Sequence, residues 1–137
     1  MASEILPGPY SPPVSKAVCV LIADDESQLL RLLARLFEKQ GYRVYSALDA
    51  GQAWTVFEAH RDEIDVVFLD VLIRPSGVTP LLSRMQAVRD DLGVVLTSGA
   101  QLDEDLRVSL DAFGGVFLYK PFSPPAAFEA IERVAEG

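Results

Sequence analysis

Two short apolar runs, each followed at once by an aspartate, limit the possible folds of this chain more than any other feature. Residues 17–23 and 65–69 are almost wholly apolar and show no alternation of polar and apolar side chains. Continuous runs of this length are typical of strands buried on both faces, as in a parallel sheet covered by helices. Asp24 and Asp70 follow the two runs directly. We therefore predict a parallel α/β sheet with carboxylates at the carboxyl ends of two strands.

The rest of the chain continues the alternation of strand and helix. The five predicted strands are at residues 17–23, 43–47, 65–69, 93–97 and 116–119. The predicted helices are at about residues 27–40, 49–60, 80–89 and 103–112, with a last one capped by Ser123. Five strand–helix units in succession imply one parallel sheet with helices on both faces. The ligand site of such a sheet lies at the carboxyl ends of its strands.

Length and composition restrict the domain count and the kind of partner. The 137 residues are enough for one domain with a proper core. Residues 1–16 are rich in proline and predict an extended tail, so the domain is expected at residues 17–137. The net charge of −8 disfavours nucleic-acid binding, although plain solubility would also explain it. The absence of a long apolar run and of a signal peptide pattern predicts a cytoplasmic protein that does not cross the membrane.

Chemically capable side chains follow the predicted strands. At these positions the sequence has Asp24, Asp25, Asp70, Ser98 and Lys120. Three carboxylates a few ångströms apart repel one another by about 1 kcal/mol or more per pair, which a hard divalent cation such as Mg²⁺ would relieve. An ionised carboxylate is also a competent nucleophile toward phosphorus. The pattern therefore indicates Mg²⁺-assisted phosphoryl transfer to an aspartate.

Each of these residues also has an ordinary structural explanation. An aspartate between a strand and a helix often caps the helix. Ser98 could be a simple turn residue, and Lys120 a solvated surface lysine. The combination of three acids and a lysine at strand ends favours the functional interpretation over these alternatives.

The chain resembles a response-regulator receiver domain over about residues 17–136. The resemblance is carried by LIADDE at 21–26, VVFLD at 66–70, VLTSG at 95–99 and FLYKPF at 117–122. It implies a flavodoxin-like, doubly wound (βα)5 fold whose five parallel strands have the order 2-1-3-4-5. It also implies a phosphoacceptor that takes part in signalling and is not itself an enzyme.

The resemblance assigns a role to each acidic residue of the site. Asp70 would be the phosphoacceptor and Asp25 the direct Mg²⁺ ligand. Asp24 would assist through water, and the backbone carbonyl of Leu72 would complete the protein ligands of the metal.

The same resemblance implies a phosphate-binding and switching group. Ser98 would be the switch hydroxyl, with Thr97 as the less favoured candidate, and Lys120 would pair with the phosphate. Phe117, three residues before that lysine, stands where the family carries a rotating aromatic side chain.

The segment after Asp70 departs from the family pattern. Arg74 stands where the family usually has a proline, and the loop is one residue short, so Arg74 is expected near the phosphate or a partner. Leu72 and Ala100 are apolar and cannot orient an attacking water. We therefore expect slow loss of the phosphoryl group.

The resemblance also implies partners. The phosphoryl donor would be a histidine kinase or a histidine phosphotransfer protein, the downstream target is not identified, and the face at 103–136 could form a homodimer. Only 17 residues follow Lys120, so we expect a stand-alone receiver or the receiver of a hybrid kinase. Two alternatives remain, namely a phosphorylation-independent interaction module on the same fold and a small nucleotide- or flavin-binding domain. The second is disfavoured because the first strand is followed by acids rather than by a phosphate-binding loop.

Overall fold

The computed structural model describes residues 17–135, so the predicted tail at 1–16 and the last two residues lie outside the described part of the chain. The strands are β1 (Cys19–Ala23), β2 (Arg43–Ala47), β3 (Val66–Asp70), β4 (Gly93–Ser98) and β5 (Val116–Tyr119). The helices are α1 (Ser27–Lys39), α2 (Ala50–His60), α3 (Val78–Val88), α4 (Glu104–Ala112) and α5 (Pro124–Ala135).

The strands form one parallel sheet in the order β2-β1-β3-β4-β5, which confirms the predicted fold. The chain leaves β1 toward β2 on one side and returns to β3 on the other side. This reversal of direction opens a crevice above the carboxyl ends of β1 and β3, where such sheets bind ligands.

Helices cover both faces of the sheet. One apolar layer lies between the sheet and α2, α3 and α4, and the other lies between the sheet and α1 and α5. Successive residues of β1 point into opposite layers, so the strand needs apolar side chains at every position. In the second layer, Phe68 packs edge-on against Phe37 and Phe122, with ring centroids 5.3 Å and 5.7 Å away.

Side-chain caps begin three of the helices where the sequence predicts them. Asp49 accepts a hydrogen bond from the backbone N–H of Gln52 at 2.7 Å and caps α2. Asp103 caps α4 in the same way, and the hydroxyl of Ser123 accepts from the third residue of α5. Each cap satisfies an N–H group that the helix leaves without an internal partner.

Two predicted boundaries were wrong beside the site. Helix α3 begins at Val78 rather than at Pro80, because the side chain of Val78 is buried and a proline in the first turn loses no helical hydrogen bond. Strand β4 includes Ser98, which pairs with Tyr119 of β5, so Ser98 is a strand residue and not a turn residue.

Strand β1 begins two residues later than predicted, and β3 is shifted by one residue so that it includes Asp70. The side chain of Asp65 accepts a hydrogen bond from the N–H of Cys19 at 2.9 Å, and this contact lies at the amino ends of both strands. No helix within residues 17–135 has the length and hydropathy needed to cross a membrane.

Candidate functional site

Three aspartates meet at the carboxyl ends of β1 and β3. Ala23 pairs with Leu69 in the sheet, so Asp24 and Asp70 follow side by side. Asp25 joins them, and one carboxylate oxygen from each of the three aspartates lies within 4.8 Å of the other two. Asp24 and Asp70 are buried, whereas Asp25 faces the solvent. The structure thus brings together the three carboxylates that the sequence singles out.

Asp70 carries a charge that its surroundings only partly compensate. One carboxylate oxygen, Oδ1, accepts a hydrogen bond from the backbone N–H of Leu72 at 3.1 Å. The other, Oδ2, lies 3.4 Å from the Nζ atom of Lys120. Burial raises the pKa of Asp70 and the charge of Asp24 adds to this, and together they outweigh the opposing effects of Leu72 and Lys120. A cation or an electrophile at this carboxylate would relieve the cost of its charge.

Lys120 joins β5 to the acidic crevice. Its backbone N–H donates to the carbonyl of Ser98, and its Nζ atom reaches Asp24 at 2.9 Å and Glu26 at 3.1 Å as well as Asp70. Burial alone would lower the pKa of Lys120, but the hydrogen bonds to Asp24 and Glu26 outweigh it and raise the pKa. Lys120 is therefore a permanent cation in the site. No role was assigned to Glu26 from the sequence, although it stands directly after the two aspartates that follow β1.

Asp24 and Asp25 differ in how much of each carboxylate is already engaged. Asp24 accepts the N–H of Glu26 at 2.8 Å through one oxygen and contacts Lys120 through the other. Asp25 is paired with Arg74, whose Nε atom lies 3.4 Å from its Oδ2. The roles of Asp25 as a direct metal ligand and of Asp24 as an indirect one stay predictions.

The loop between β3 and α3 is anchored at several backbone positions. The carbonyl of Arg74 accepts the N–H of Ala50, the first residue of α2, at 2.8 Å. Gly77, with φ of 79°, donates to the carbonyl of Ile73 and adopts the left-handed conformation that favours glycine. Arg74 was expected near the phosphate or a partner, and the structure places its guanidinium on Asp25.

The two candidate switch hydroxyls are both buried at the end of β4. The Oγ atom of Ser98 accepts the N–H of Ala100 at 3.1 Å. Among residues 17–135, neither Ser98 nor Thr97 makes a side-chain hydrogen bond to Asp70. The choice of Ser98 over Thr97 stays a prediction.

Phe117 lies on β5 opposite Leu96 and packs against the layer that contains α2, α3 and α4. It is half-buried, and its ring meets Tyr119 edge-on with centroids 4.7 Å apart. The predicted rotation of Phe117 stays a prediction.

The donor set of the crevice fits a Mg²⁺ ion. Carboxylate oxygens are the ligands that Mg²⁺ prefers, and it keeps several waters rather than requiring a full protein cage. Lys120 is one positive charge against the carboxylates that meet here, so a further cation would offset negative charge that is costly to bury. The predicted contribution of the Leu72 carbonyl stays a prediction.

An apolar groove adjoins this crevice. It has a volume of about 520 Å³ and lies between α1 and the start of α5. Leu32, which is 54% exposed, lines it together with Leu36 and Phe122, and Lys120 and Glu26 lie at its end. The groove is thus an apolar surface directly beside the carboxylates.

Comparisons with known proteins agree with this geometry. Response regulator GtcR of Aneurinibacillus migulanus is 30% identical over 115 residues, which cover 84% of this chain and 45% of that protein. The chain thus spans about half the length of the curated relatives it matches.

Solved structures share the fold. A response regulator receiver domain protein from Clostridium thermocellum has a TM-score of 0.79 at 23% identity, covering 87% of this chain and 94% of that chain. A chain of the CheX–CheY–BeF3–Mg complex from Borrelia burgdorferi has a TM-score of 0.76 at 24% identity. The match covers 85% of this chain and 88% of that chain.

The family model described as response regulator receiver domain matches residues 20–132, which include all five strands except the first residue of β1. This match extends over most of the chain and contains every residue of the acidic crevice. The chain therefore belongs to the response regulator receiver domains of two-component systems.

Proposed function

We propose that this domain accepts a phosphoryl group on Asp70 from a phosphohistidine and signals through a change at its β5 edge. The observation that carries the proposal is the placement of a buried carboxylate at the end of β3, beside two further carboxylates and 3.4 Å from the ammonium of Lys120. The new bond joins a carboxylate oxygen of Asp70 to phosphorus. The bond that breaks joins phosphorus to the donor's histidine nitrogen, which leaves with the electron pair.

Each charged residue has a part in this transfer. Asp24, Asp25 and Asp70 would hold Mg²⁺, which when bound draws charge from the phosphoryl oxygens. Lys120 supplies a second positive charge at the oxygens as they arrive. The Leu72 N–H holds one oxygen of Asp70 in place, so that the other oxygen can face the phosphorus.

The response follows from the new anion. The phosphoryl oxygens offer acceptors to Ser98 and Lys120, and both residues are connected to β5 through the hydrogen bond between their backbones. Movement of Ser98 opens room for Phe117 to turn inward, and the face formed by α4, β5 and α5 changes. This is a population shift, because the phosphate makes different contacts in the two states.

The donor is proposed to dock in the groove between α1 and α5. A helix of a histidine kinase or phosphotransfer protein, laid along Leu32 and Leu36, would bring its histidine beside Lys120 and Asp70. In this setting the domain is a cytoplasmic phosphoacceptor rather than an enzyme. Its downstream target, or a second copy of the chain, would bind the face that contains α4, β5 and α5.

A charge in the groove tests the docking site. Leu32→Glu should slow phosphorylation at least tenfold with a histidine phosphotransfer protein that phosphorylates the wild type. The same variant should react with acetyl phosphate at the wild-type rate, because the small donor needs no groove. Equal rates with the protein donor would place docking elsewhere.

Intact mass measured after incubation with acetyl phosphate tests the chemistry. The wild type should gain one phosphoryl group in the presence of Mg²⁺ and none after chelation. Asp70→Asn, which keeps the size of the side chain, should gain none in either condition. An adduct on the Asp70→Asn variant, or none on the wild type, would refute the assignment.

The lifetime of the adduct should be long, because Leu72 is 66% exposed and apolar where a polar side chain could orient water. Leu72→Asn should shorten the half-life of the phosphorylated protein by about fivefold or more. Leu32→Asn is a control with the same change of side chain on a different surface. An unchanged half-life in Leu72→Asn would show that this position does not limit hydrolysis.

The contact of Arg74 with Asp25 favours a second candidate, a phosphorylation-independent interaction module. In that case the arginine would take the place of the metal permanently. Calorimetric titration with Mg²⁺ separates the two, because a permanent ion pair predicts no binding at millimolar concentration.

A further inference from the structure

The cations of the acidic crevice are unevenly distributed. Lys120 contacts Asp24, Glu26 and Asp70 but makes no ion pair with Asp25. Within the described part of the chain, Arg74 is the one basic residue within ion-pair distance of Asp25. The carboxylate best placed to meet a metal from solvent is therefore the one that has its own separate cation.

The contact between Arg74 and Asp25 is of a kind that exchanges easily. Its 3.4 Å separation is longer than a good charge-assisted hydrogen bond, and the side chain of Arg74 is 83% exposed. Exposed pairs of this type contribute little to stability and are screened by salt. By contrast, Lys120 is only 18% exposed and is held by three carboxylates.

The backbone of Arg74 is anchored by a hydrogen bond, whereas its side chain is largely exposed. Its carbonyl is bonded to the N–H of Ala50 at the start of α2, and the loop closes through Gly77. The guanidinium can thus swing away from Asp25 without unfolding the loop, and it remains tethered at the rim of the crevice.

We propose that Arg74 is a displaceable counter-ion of Asp25, which competes with a divalent cation for this carboxylate and weakens Mg²⁺ binding before phosphorylation. The inference rests on the proposed Mg²⁺ site. A guanidinium near Asp25 both occupies a carboxylate oxygen and repels an incoming dication at a distance of a few ångströms. Arg74 acts through Asp25 and is a positioning residue, not a catalytic one.

Calorimetric Mg²⁺ titration of the wild type and of Arg74→Ala tests the proposal. At about 20 mM salt, Arg74→Ala should bind Mg²⁺ about three- to tenfold more tightly than the wild type. At about 0.5 M salt the gain should fall below about twofold, because the competing ion pair is then screened. A merely structural role of Arg74 would instead weaken binding at both salt concentrations.

Two control variants separate local from general effects. Arg74→Lys keeps the charge and should stay within about twofold of the wild type. Arg35→Ala removes an exposed arginine from the middle of α1, and its Mg²⁺ affinity should also stay within about twofold. A gain in Arg35→Ala equal to that in Arg74→Ala would overturn the proposal in favour of net charge.

The remaining outcomes are also decisive. Equal or weaker binding by Arg74→Ala would overturn the counter-ion role and leave the proposed phosphoryl transfer intact. Failure of both the wild type and Arg74→Ala to bind Mg²⁺ would overturn the metal site as well as the counter-ion role.

Discussion

The centre of the sheet and its β5 edge are built differently. Every residue of β1, β3 and β4 is buried, whereas no residue of β5 is. Helix α3, beside the centre, buries four side chains, but α4, beside β5, buries only Leu110. Val108 on α4 and Tyr119 on β5 are more than half exposed. The two regions meet at Lys120, which directly follows β5 and contacts the acids at the carboxyl ends of β1 and β3.

This difference separates two demands on the molecule. A nucleophile with a buried charge needs strands that are held by packing on both faces, since its geometry must not relax. A region that changes shape needs fewer buried contacts, so that a new anion can alter it at small cost. The proposed chemistry thus lies on strands that are buried throughout, and the proposed response lies on an edge strand that has no buried residue.

Two phenylalanine truncations should show the largest difference. Phe68→Ala empties a 2% exposed position between Phe37 and Phe122, and we expect it to lower the free energy of unfolding by about 4 kcal/mol. Phe117→Ala, in half-buried β5, should lower it by about 1.5 kcal/mol. Urea unfolding measures both, and equal losses would show that the edge is packed as firmly as the centre.

Removal of Lys120, which links β5 to the acidic crevice, should lower the free energy of unfolding by an intermediate amount. Lys120→Met leaves the buried carboxylates of Asp24 and Asp70 without their cation, and we expect a loss of about 2 kcal/mol in the absence of metal. The expected loss is smaller than for a dry ion pair because Lys120 remains partly in contact with water.

Lys39→Met is the matched control, since it removes a lysine from the exposed last turn of α1. It should cost about 0.5 kcal/mol or less. Similar urea midpoints for the two variants would mean that Lys120 does not hold β5 to the centre.

The charge of Asp70 should lower stability at neutral pH, which is the smallest of the three effects. The raised pKa means that the folded protein holds the proton more tightly than the unfolded chain does. The contribution of Asp70 to stability therefore falls as the pH rises from the ordinary aspartate range through the raised pKa. The Asp70→Asn variant carries no charge at this position, and its Lys120 still pairs with two carboxylates. The variant should therefore have an unfolding temperature about 4 °C above that of the wild type at pH 7 without metal.

Thermal unfolding at two pH values checks this prediction. The advantage of Asp70→Asn should shrink as the pH falls through the raised pKa of Asp70 toward the ordinary aspartate range, because the wild-type carboxyl then binds its proton. An advantage independent of pH would point to packing rather than charge.

Much of the centre could be predicted from the sequence because its constraints are local. Residues 19–23 and 66–69 include no charged or strongly polar side chain, which is incompatible with a strand exposed on one face. Asp24 and Asp70 follow those runs directly, so the parallel sheet alone brings them together.

Contacts between distant side chains could not be predicted in this way. The pairing of Arg74 with Asp25 depends on the path of the short loop between β3 and α3. This loop ends at Val78, two residues before the predicted start of α3 at Pro80. Lys120 and Glu26 are 94 residues apart, and their contact follows from rotamers at the crevice rather than from strand order. The half-burial of β5 could not be predicted either, because its four residues, VFLY, are about as apolar as the first four residues of β3, VVFL.

Amide hydrogen exchange with and without phosphorylation of Asp70 tests the division between centre and edge most directly. After treatment with acetyl phosphate and Mg²⁺, exchange in α4 and β5 should change severalfold, while exchange in β1 and β3 should stay within about twofold. Asp70→Asn treated in the same way should show neither change. Equal changes across all strands, or changes confined to β1 and β3, would contradict the account.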